Sequence, residues 1–303
     1  MLLGADGFVG HHVNARLAAA PEVAVTTVAR RGDVHADLQL DLTESAVAVA
    51  HAIRDVAPDT VVNCAGSATG DPASLAASNL VAVANTIDAM LTAGRRLRLV
   101  HLGSAAEYGR VPAGTAAPED TAERPVTPYG LSKLAATRLV RTAAAAGLDA
   151  VALRVTTPIG PEAPTSSLAG RLVAQLRRSG VEGGGVTTGP LDDVRDFVDV
   201  RDVADAVVAA ALRPAGGGAL PAVLNVGSGT ATPTREMVNA LLTVAGFTGG
   251  LRTDGRAAPR DTAVPWQCVD VTCAGRTLGW APKRSLDTSL RDLWRSSASL
   301  APC

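Results

Sequence analysis

Short β-branched runs alternate with longer alanine-rich stretches through the first half of the chain. Residues 23–30, 59–64, 97–103 and 148–155 are apolar runs of the kind that form strands buried on both faces. Between them, 8–20, 43–57, 72–93 and 128–146 have the length and composition of helices. Strict alternation predicts right-handed crossovers and a doubly wound, mainly parallel α/β sheet. Ligands of such sheets sit beyond the carboxyl ends of the strands, so chemistry is expected just after residues 3, 30, 64, 103 and 155.

The second half is less regular. Glycine and proline mark loops over 180–189 and 214–221, strands are expected at 196–200 and 222–226, and helices at 201–212, 233–245 and 286–295. This pattern predicts a smaller, discontinuous C-terminal lobe. Residues 1–156 and 194–228 are assigned to the sheet domain, and 157–193 and 229–303 to the lobe.

Composition narrows the function classes. With 47% apolar and 19% charged residues the chain is a folding sequence, and 303 residues suffice for a core without disulfides or metal. A net charge of −1 offers nucleic acid or a membrane surface no basic excess. Apolar runs are interrupted by Arg, Asp, Pro or Gly, so no membrane span is expected. Met1-Leu2-Leu3-Gly4 lacks the basic start and long apolar stretch of a secretory leader. Cysteines at 64, 268, 273 and 303 have no metal-ligand or dithiol spacing, so they are read as incidental thiols of a cytoplasmic protein, and no metal is expected.

Three glycines spaced by three, Gly4, Gly7 and Gly10, follow the first apolar stub in Leu2-Leu3-Gly4-Ala5-Asp6-Gly7-Phe8-Val9-Gly10. Between a strand and a helix, such a turn lets backbone N–H groups of Gly7, Phe8, Val9 and Gly10 approach a pyrophosphate. Only three residues precede Gly4, so either the chain start is trimmed or the sheet tolerates a short central strand. Twenty residues past Gly10 stand Arg30 and Arg31, which suit a 2′-phosphate where an acid would suit a bare ribose. NADP(H) is therefore expected to be preferred, with NAD(H) as the alternative.

The chain has 26 arginines but only two lysines, Lys133 and Lys283, and only two tyrosines, Tyr108 and Tyr129. Tyr129 and Lys133 lie four apart in a helix that opens with Thr127-Pro128, so they share one face. An ammonium beside a phenol favours the phenolate, so Lys133 is expected to lower the Tyr129 pKa.

With these residues together, the sequence resembles the extended short-chain dehydrogenase/reductases of the NAD(P)-dependent epimerase/dehydratase family, and by that resemblance a Rossmann fold. Further motifs carry the likeness: Asp41-Leu42 as adenine contact, Cys64-Ala65-Gly66 as a cofactor turn, and Ser104-Ala105-Ala106-Glu107-Tyr108-Gly109. Arg154 before Gly160-Pro161, the run 195–203 and Leu278-Gly279-Trp280-Ala281-Pro282 extend it over nearly the whole length. The resemblance implies Tyr129 as general acid or base, Lys133 on the nicotinamide ribose and Ser104 on the substrate oxygen. It implies cofactor contacts from Ala65 and Gly66, and substrate contacts from Asn79, Thr157, Arg195 and Arg260. It also implies a nucleotide-sugar substrate and a homodimer formed through helices 72–93 and 128–146.

Two departures refine the expectation. Family dehydratases carry carboxylates where this chain has Ala105 and Ala106, and Glu107, by strand alternation, should point away from that side. Thr157 stands where many members have an Asn against the substrate phosphate. Reduction of a GDP- or dTDP-linked 4-keto-6-deoxyhexose is the leading expectation. The alternatives are a nucleotide-sugar epimerase, reduction of a non-sugar natural-product carbonyl, or a cofactor-binding regulator without activity.

Overall fold

The computed structural model describes residues 1–30, 35–179, 185–214, 219–255 and 264–300. In chain order the strands are β1 (Leu2–Leu3), β2 (Thr27–Ala29), β3 (Leu38–Gln39), β4 (Thr60–Asn63), β5 (Arg98–Ser104) and β6 (Asp149–Val155). They continue as β7 (Thr157–Ile159), β8 (Gly185–Thr188), β9 (Val194–Asp199), β10 (Val223–Val226), β11 (Ala231–Pro233) and β12 (Gly250–Thr253). The helices of the first half are α1 (Phe8–Ala18), α2 (Ala46–Val56), α3 (Pro72–Ala76), α4 (Ala82–Thr92) and α5 (Pro128–Ala145). Those of the second half are α6 (Leu168–Ser179), α7 (Val200–Ala211), α8 (Thr234–Val244), α9 (Thr272–Leu278) and α10 (Leu286–Ser296).

Seven strands form one parallel sheet in the order β10-β6-β5-β4-β1-β2-β3. The two-residue β1 is an interior strand between β4 and β2, with Leu2 registered on Thr27 and Val62. Pleating divides the core. Leu2, Val62, Val100, Leu102, Val151 and Leu153 face Val13 and Leu17 of α1 and Val203 and Val207 of α7. Leu3, Val61, Leu99 and Ala152 face Val49 and Ile53 of α2, Val83 and Ile87 of α4, and Ala136 and Val140 of α5. Each such buried Val, Leu or Ile contributes about 1.5–3 kcal/mol, and strands covered on both faces need their near-continuous apolar runs.

β7, β8, β9, β11 and β12 with α6, α8 and α10 form a second layer with its own core. The strands order as β11-β9-β7, β8 pairs in parallel with β12, and Leu172, Leu176, Met237, Leu241, Leu290 and Leu293 fill the space between α6, α8 and α10. The loop expected over 180–189 therefore contains a strand at its far end. β8 finds its partner more than sixty residues away, and the glycines around Val186 conceal it locally.

α6 also escapes the periodicity reading, because Gly170 looks like a breaker inside it. Gly170 is required by packing: a Cβ there would lie 2.2 Å from the Pro164 carbonyl oxygen. The helix expected over 72–93 is continuous but changes pitch, with a π-helical turn at Ala77–Val81 between α3 and α4. By length and composition Pro72–Thr92 could cross a membrane, against the expectation from interrupted runs, yet its Leu75, Val83, Ile87 and Met90 are buried in the protein.

Candidate active site

A cavity of about 490 Å³ opens at the carboxyl ends of β1, β2 and β4. Gly4, Gly7, Arg30, Asp41, Leu42, Ala65 and Gly66 are among its lining residues. The glycine turn is a matter of close approach. A Cβ on Gly10 would fall 1.9 Å from the Gly4 carbonyl oxygen, so α1 can start against the turn only with hydrogen at that position. Gly7 caps α1 without a side-chain bond, leaving the first N–H groups of Phe8, Val9 and Gly10 at a helix start that suits an anion. Gly10→Ala should weaken dinucleotide binding about tenfold or more while the chain still folds, read by titrating the variant with NADPH.

At the rim, Asp41 Oδ1 accepts from Thr43 N–H at 2.8 Å and Thr43 Oγ1 at 2.7 Å, which fixes the turn after β3. Leu42 is buried and Arg30 is exposed. Arg31, the second expected phosphate contact, lies outside the described residues.

Ser104, Tyr129 and Lys133 are not among the lining residues, and the Gly66 turn is what stands between the cavity and the lysine. A Cβ on Gly66 would lie 2.6 Å from Asn79 Oδ1 and 3.8 Å from Lys133 Nζ, so this turn passes directly over the lysine. Lys133 is buried, and its Nζ donates to the Leu102 carbonyl of β5. Two residues further β5 ends at Ser104, whose Oγ accepts from Ala106 N–H at 3.2 Å and caps a 3-10 turn, Ala105–Glu107.

Opposite, Thr127 Oγ1 accepts from Gly130 N–H at 3.0 Å and starts α5 with Pro128 in its first turn. A Cβ on Gly130 would be 2.6 Å from the Ala106 carbonyl oxygen, so the first turn of α5 docks on the 3-10 turn. Tyr129 and Ser104 are hydrogen-bonded across this contact. The structure thus brings Ser104 and Tyr129 together where α5 docks, and places Lys133 one turn along the same helix, beneath the Gly66 turn.

The electrostatics differ from the expectation in one respect. Burial lifts the Tyr129 phenol above its ordinary pKa, the bond to Ser104 pulls it partly back, and Glu107 pushes it up. Lys133 does not depress it, because its ammonium is turned to a strand carbonyl. Burial instead brings Lys133 itself down to about 8, against the pull of Glu107 and Cys64. Burial also pushes the Cys64 thiol up to about 12, so this cavity-lining cysteine is held as an inert thiol.

Other expected residues are placed less directly. Asn79 sits in the π-helical turn with its side chain fully used. Its Oδ1 accepts from Ser67 N–H at 2.9 Å, and its Nδ2 donates to the Ser67 carbonyl at 2.8 Å and Ser132 Oγ at 3.0 Å. It braces the Gly66 turn against α5, which corrects its reading as a substrate contact. Thr157 starts β7, registered on Phe197.

Arg195 is on β9, where it pairs with Asp193 at 2.6 Å and donates to the Val194 and Val264 carbonyls at 2.9 and 2.7 Å. That pairing uses much of the guanidinium intended for a diphosphate. Arg260 lies outside the described residues. Glu107 is not on a strand, so alternation does not apply; the 3-10 turn folds its carboxylate beneath Ser104.

Sequence reasoning missed the hydroxyl-bearing wall of the cavity, Ser67, Thr69, Ser74 and Ser78. Its signal was present: four Ser or Thr within the fourteen residues after Ala65. Among the described residues no cluster of three or more His, Cys, Asp or Glu could hold a metal ion.

The family model described as the NAD dependent epimerase/dehydratase family matches residues 1–227. The chain is 36% identical, over 99% of its own length and 96% of the relative's, to a dTDP-6-deoxy-L-talose 4-dehydrogenase (NAD(P)(+)) of Kitasatospora kifunensis. It is 32% identical to a GDP-6-deoxy-D-mannose reductase of Pseudomonas aeruginosa, covering 80% of this chain and 78% of the other. Among solved structures, RMD from Pseudomonas aeruginosa complexed with NADPH superposes with a TM-score of 0.80 at 27% identity, covering 99% of both chains.

Proposed function

The chain belongs to the NAD dependent epimerase/dehydratase family, and from that premise we propose that it reduces the keto group of a GDP- or dTDP-linked 4-keto-6-deoxyhexose with NADPH. The observation that carries this reading is the docking of the first turn of α5 on the 3-10 turn, which seats Tyr129 against Ser104, with burial keeping the phenol protonated. A protonated phenol is the competent form for giving a proton to an oxygen that gains negative charge. Two relatives named for oxidoreduction at a 6-deoxyhexose support the substrate class.

The cavity fits the cofactor: glycines admit a pyrophosphate at α1, and its Gly66 turn lies close to Lys133. NADPH, when bound, supplies the hydride. Gly7 and Gly10 would hold its pyrophosphate, Arg30 would meet the 2′-phosphate, and Lys133 would bond the ribose beside Gly66. Ser104 hydrogen-bonds the ketone oxygen and Tyr129 delivers the proton that completes the alcohol. Ala105 and Ala106 leave that pocket without the carboxylates that elimination of water needs.

Residues 1–156 and 194–228 are assigned to cofactor binding, and 157–193 and 229–303 to the sugar-nucleotide. The exposed Val81, Leu91 and Leu131, on the π-helical turn, α4 and α5, are the apolar surface through which two copies would pair. A cytoplasmic location accords with free thiols at Cys64, Cys268 and Cys273.

The direct test supplies GDP- and dTDP-4-keto-6-deoxyhexoses and follows absorbance of the reduced nicotinamide. Consumption with either series supports the reading. No consumption by folded protein overturns it, and product isomers formed without net cofactor use would mark an epimerase. Arg30→Ala should weaken NADPH binding about tenfold and leave NADH unchanged; equal effects on both would remove the 2′-phosphate role.

A further inference from the structure

The 3-10 turn after β5 buries a carboxylate for which the reduction has no chemical use. Glu107 is fully buried. Its Oε1 accepts from Ser104 N–H at 2.8 Å and from Thr137 Oγ1 at 2.9 Å, and its Oε2 accepts from Arg154 Nε at 2.7 Å. Arg154 is equally buried, bonds Glu123 as well, and lies 4.5 Å over the Tyr108 ring. A Cβ on Gly103 would sit 2.7 Å from Glu107 Oε1, so the carboxylate is packed directly under the last turn of β5.

A buried ion pair is commonly no more stabilising than apolar residues of the same volume. Stability alone therefore gives weak reason for a carboxylate here. What this one does geometrically is join two elements: through Ser104 it holds the end of β5, and through Thr137 it holds α5 one turn beyond Lys133.

We propose that Glu107 is a positioning residue of the active site, whose carboxylate, oriented by Arg154, fixes Ser104 and α5 in the register that lets the Ser104 hydroxyl meet the Tyr129 phenol. The proposal rests on the reading of Ser104 and Tyr129 as the proton-transfer pair. The negative charge has a second consequence, since it favours the protonated phenol and the charged lysine together.

The ionisable groups around the pair come from every packed element. Lys133 is on α5, Glu107 and Tyr108 are on or next to the 3-10 turn, and His101 is on β5. Cys64 follows β4, Arg154 is on β6, and Glu119 and Glu123 lie in the segment before α5. Of these, Glu107 is the carboxylate that acts on the Tyr129 phenol.

With two tyrosines in the chain, Tyr129 can be titrated by itself: its ultraviolet ionisation signal is the difference between the protein and its Tyr129→Phe variant, read by rapid pH jump. Glu107→Gln keeps an oxygen acceptor for Ser104 and removes the charge. The Tyr129 midpoint is expected to fall by about one pH unit, and the alkaline limb of turnover to fall with it. Glu107→Leu removes charge and acceptor alike, so with Ser104 released from the phenol its midpoint is expected to lie above that of Glu107→Gln. A Glu107 that only stabilised the fold would lower the melting temperature and leave the two variants with one midpoint, and that result overturns the proposal.

Should the variants fail to fold because Arg154 is left undercompensated, E107Q/R154Q and E107L/R154Q are compared by the same criterion. The titration needs no substrate. Absence of NADPH consumption by the unmodified protein would therefore sink the ketoreductase reading without touching this one, and the reverse holds for equal midpoints in the two variants.

Discussion

Replacing Tyr129 by Phe should lower turnover about 10³-fold and leave dinucleotide binding as it is. The ring is held by its place in the first turn of α5, where Thr127 caps the helix and Gly130 seats it on the Ala106 carbonyl. None of those contacts involves the phenol oxygen, so Phe keeps the helix start and the volume. What is lost is one hydroxyl bonded to Ser104, worth about 1 kcal/mol to the fold but the whole of the proton supply in the proposed reaction. Turnover of a 4-keto-6-deoxy nucleotide-sugar and NADPH titration of the same preparation check both halves. A variant that kept a tenth of its turnover would mean that the alkoxide takes its proton elsewhere, and the role of Tyr129 would have to be withdrawn.

The sheet was legible because its signals are local. Buried parallel strands read as apolar runs, and Tyr129 and Lys133 share a face by helix periodicity alone.

What stayed hidden depends on partners far along the chain or on a break in regular geometry. β8 is a strand because β12 lies beside it, and Gly170 is tolerated in α6 because a carbonyl occupies the space of its missing Cβ. Glu107 was misplaced because the chain leaves the sheet at Ser104 and tightens into a 3-10 turn, where period-two reasoning fails. Asn79 was given to the substrate for a similar reason: the π-helical turn swings it toward Ser67 and Ser132. The titration of Lys133 was out of reach altogether, because spacing places an ammonium near a phenol but says nothing about how little water reaches it.

That lack of water makes the strongest stability prediction. Lys133→Met should reduce turnover about 10²-fold and at the same time make the protein more stable near neutral pH. Lys133 is 6% exposed and burial holds its ammonium at about 8, although Glu107 and Cys64 favour its charge; in an unfolded chain its value is 10.5. A base whose folded pKa is depressed destabilises the fold at every pH below the folded value, because the protonated form is better solvated in the unfolded chain. Between 8 and 10.5 the unfolded chain binds more protons than the folded one, so stability rises with pH across that window. Methionine is unbranched and apolar, fills a similar space and carries no proton.

The variant is therefore expected to gain up to about 3 kcal/mol at pH 7, less whatever the Leu102 carbonyl gives up on losing its donor. That gain should shrink steadily from pH 8 toward pH 10.5. Denaturant unfolding of both proteins at several pH values reads the difference directly. A loss of stability at pH 7, or a gap that does not close with rising pH, would show that the lysine is bound favourably where it lies. In that case its burial beside the Gly66 turn would follow from packing alone, and its place in the reaction would need other support.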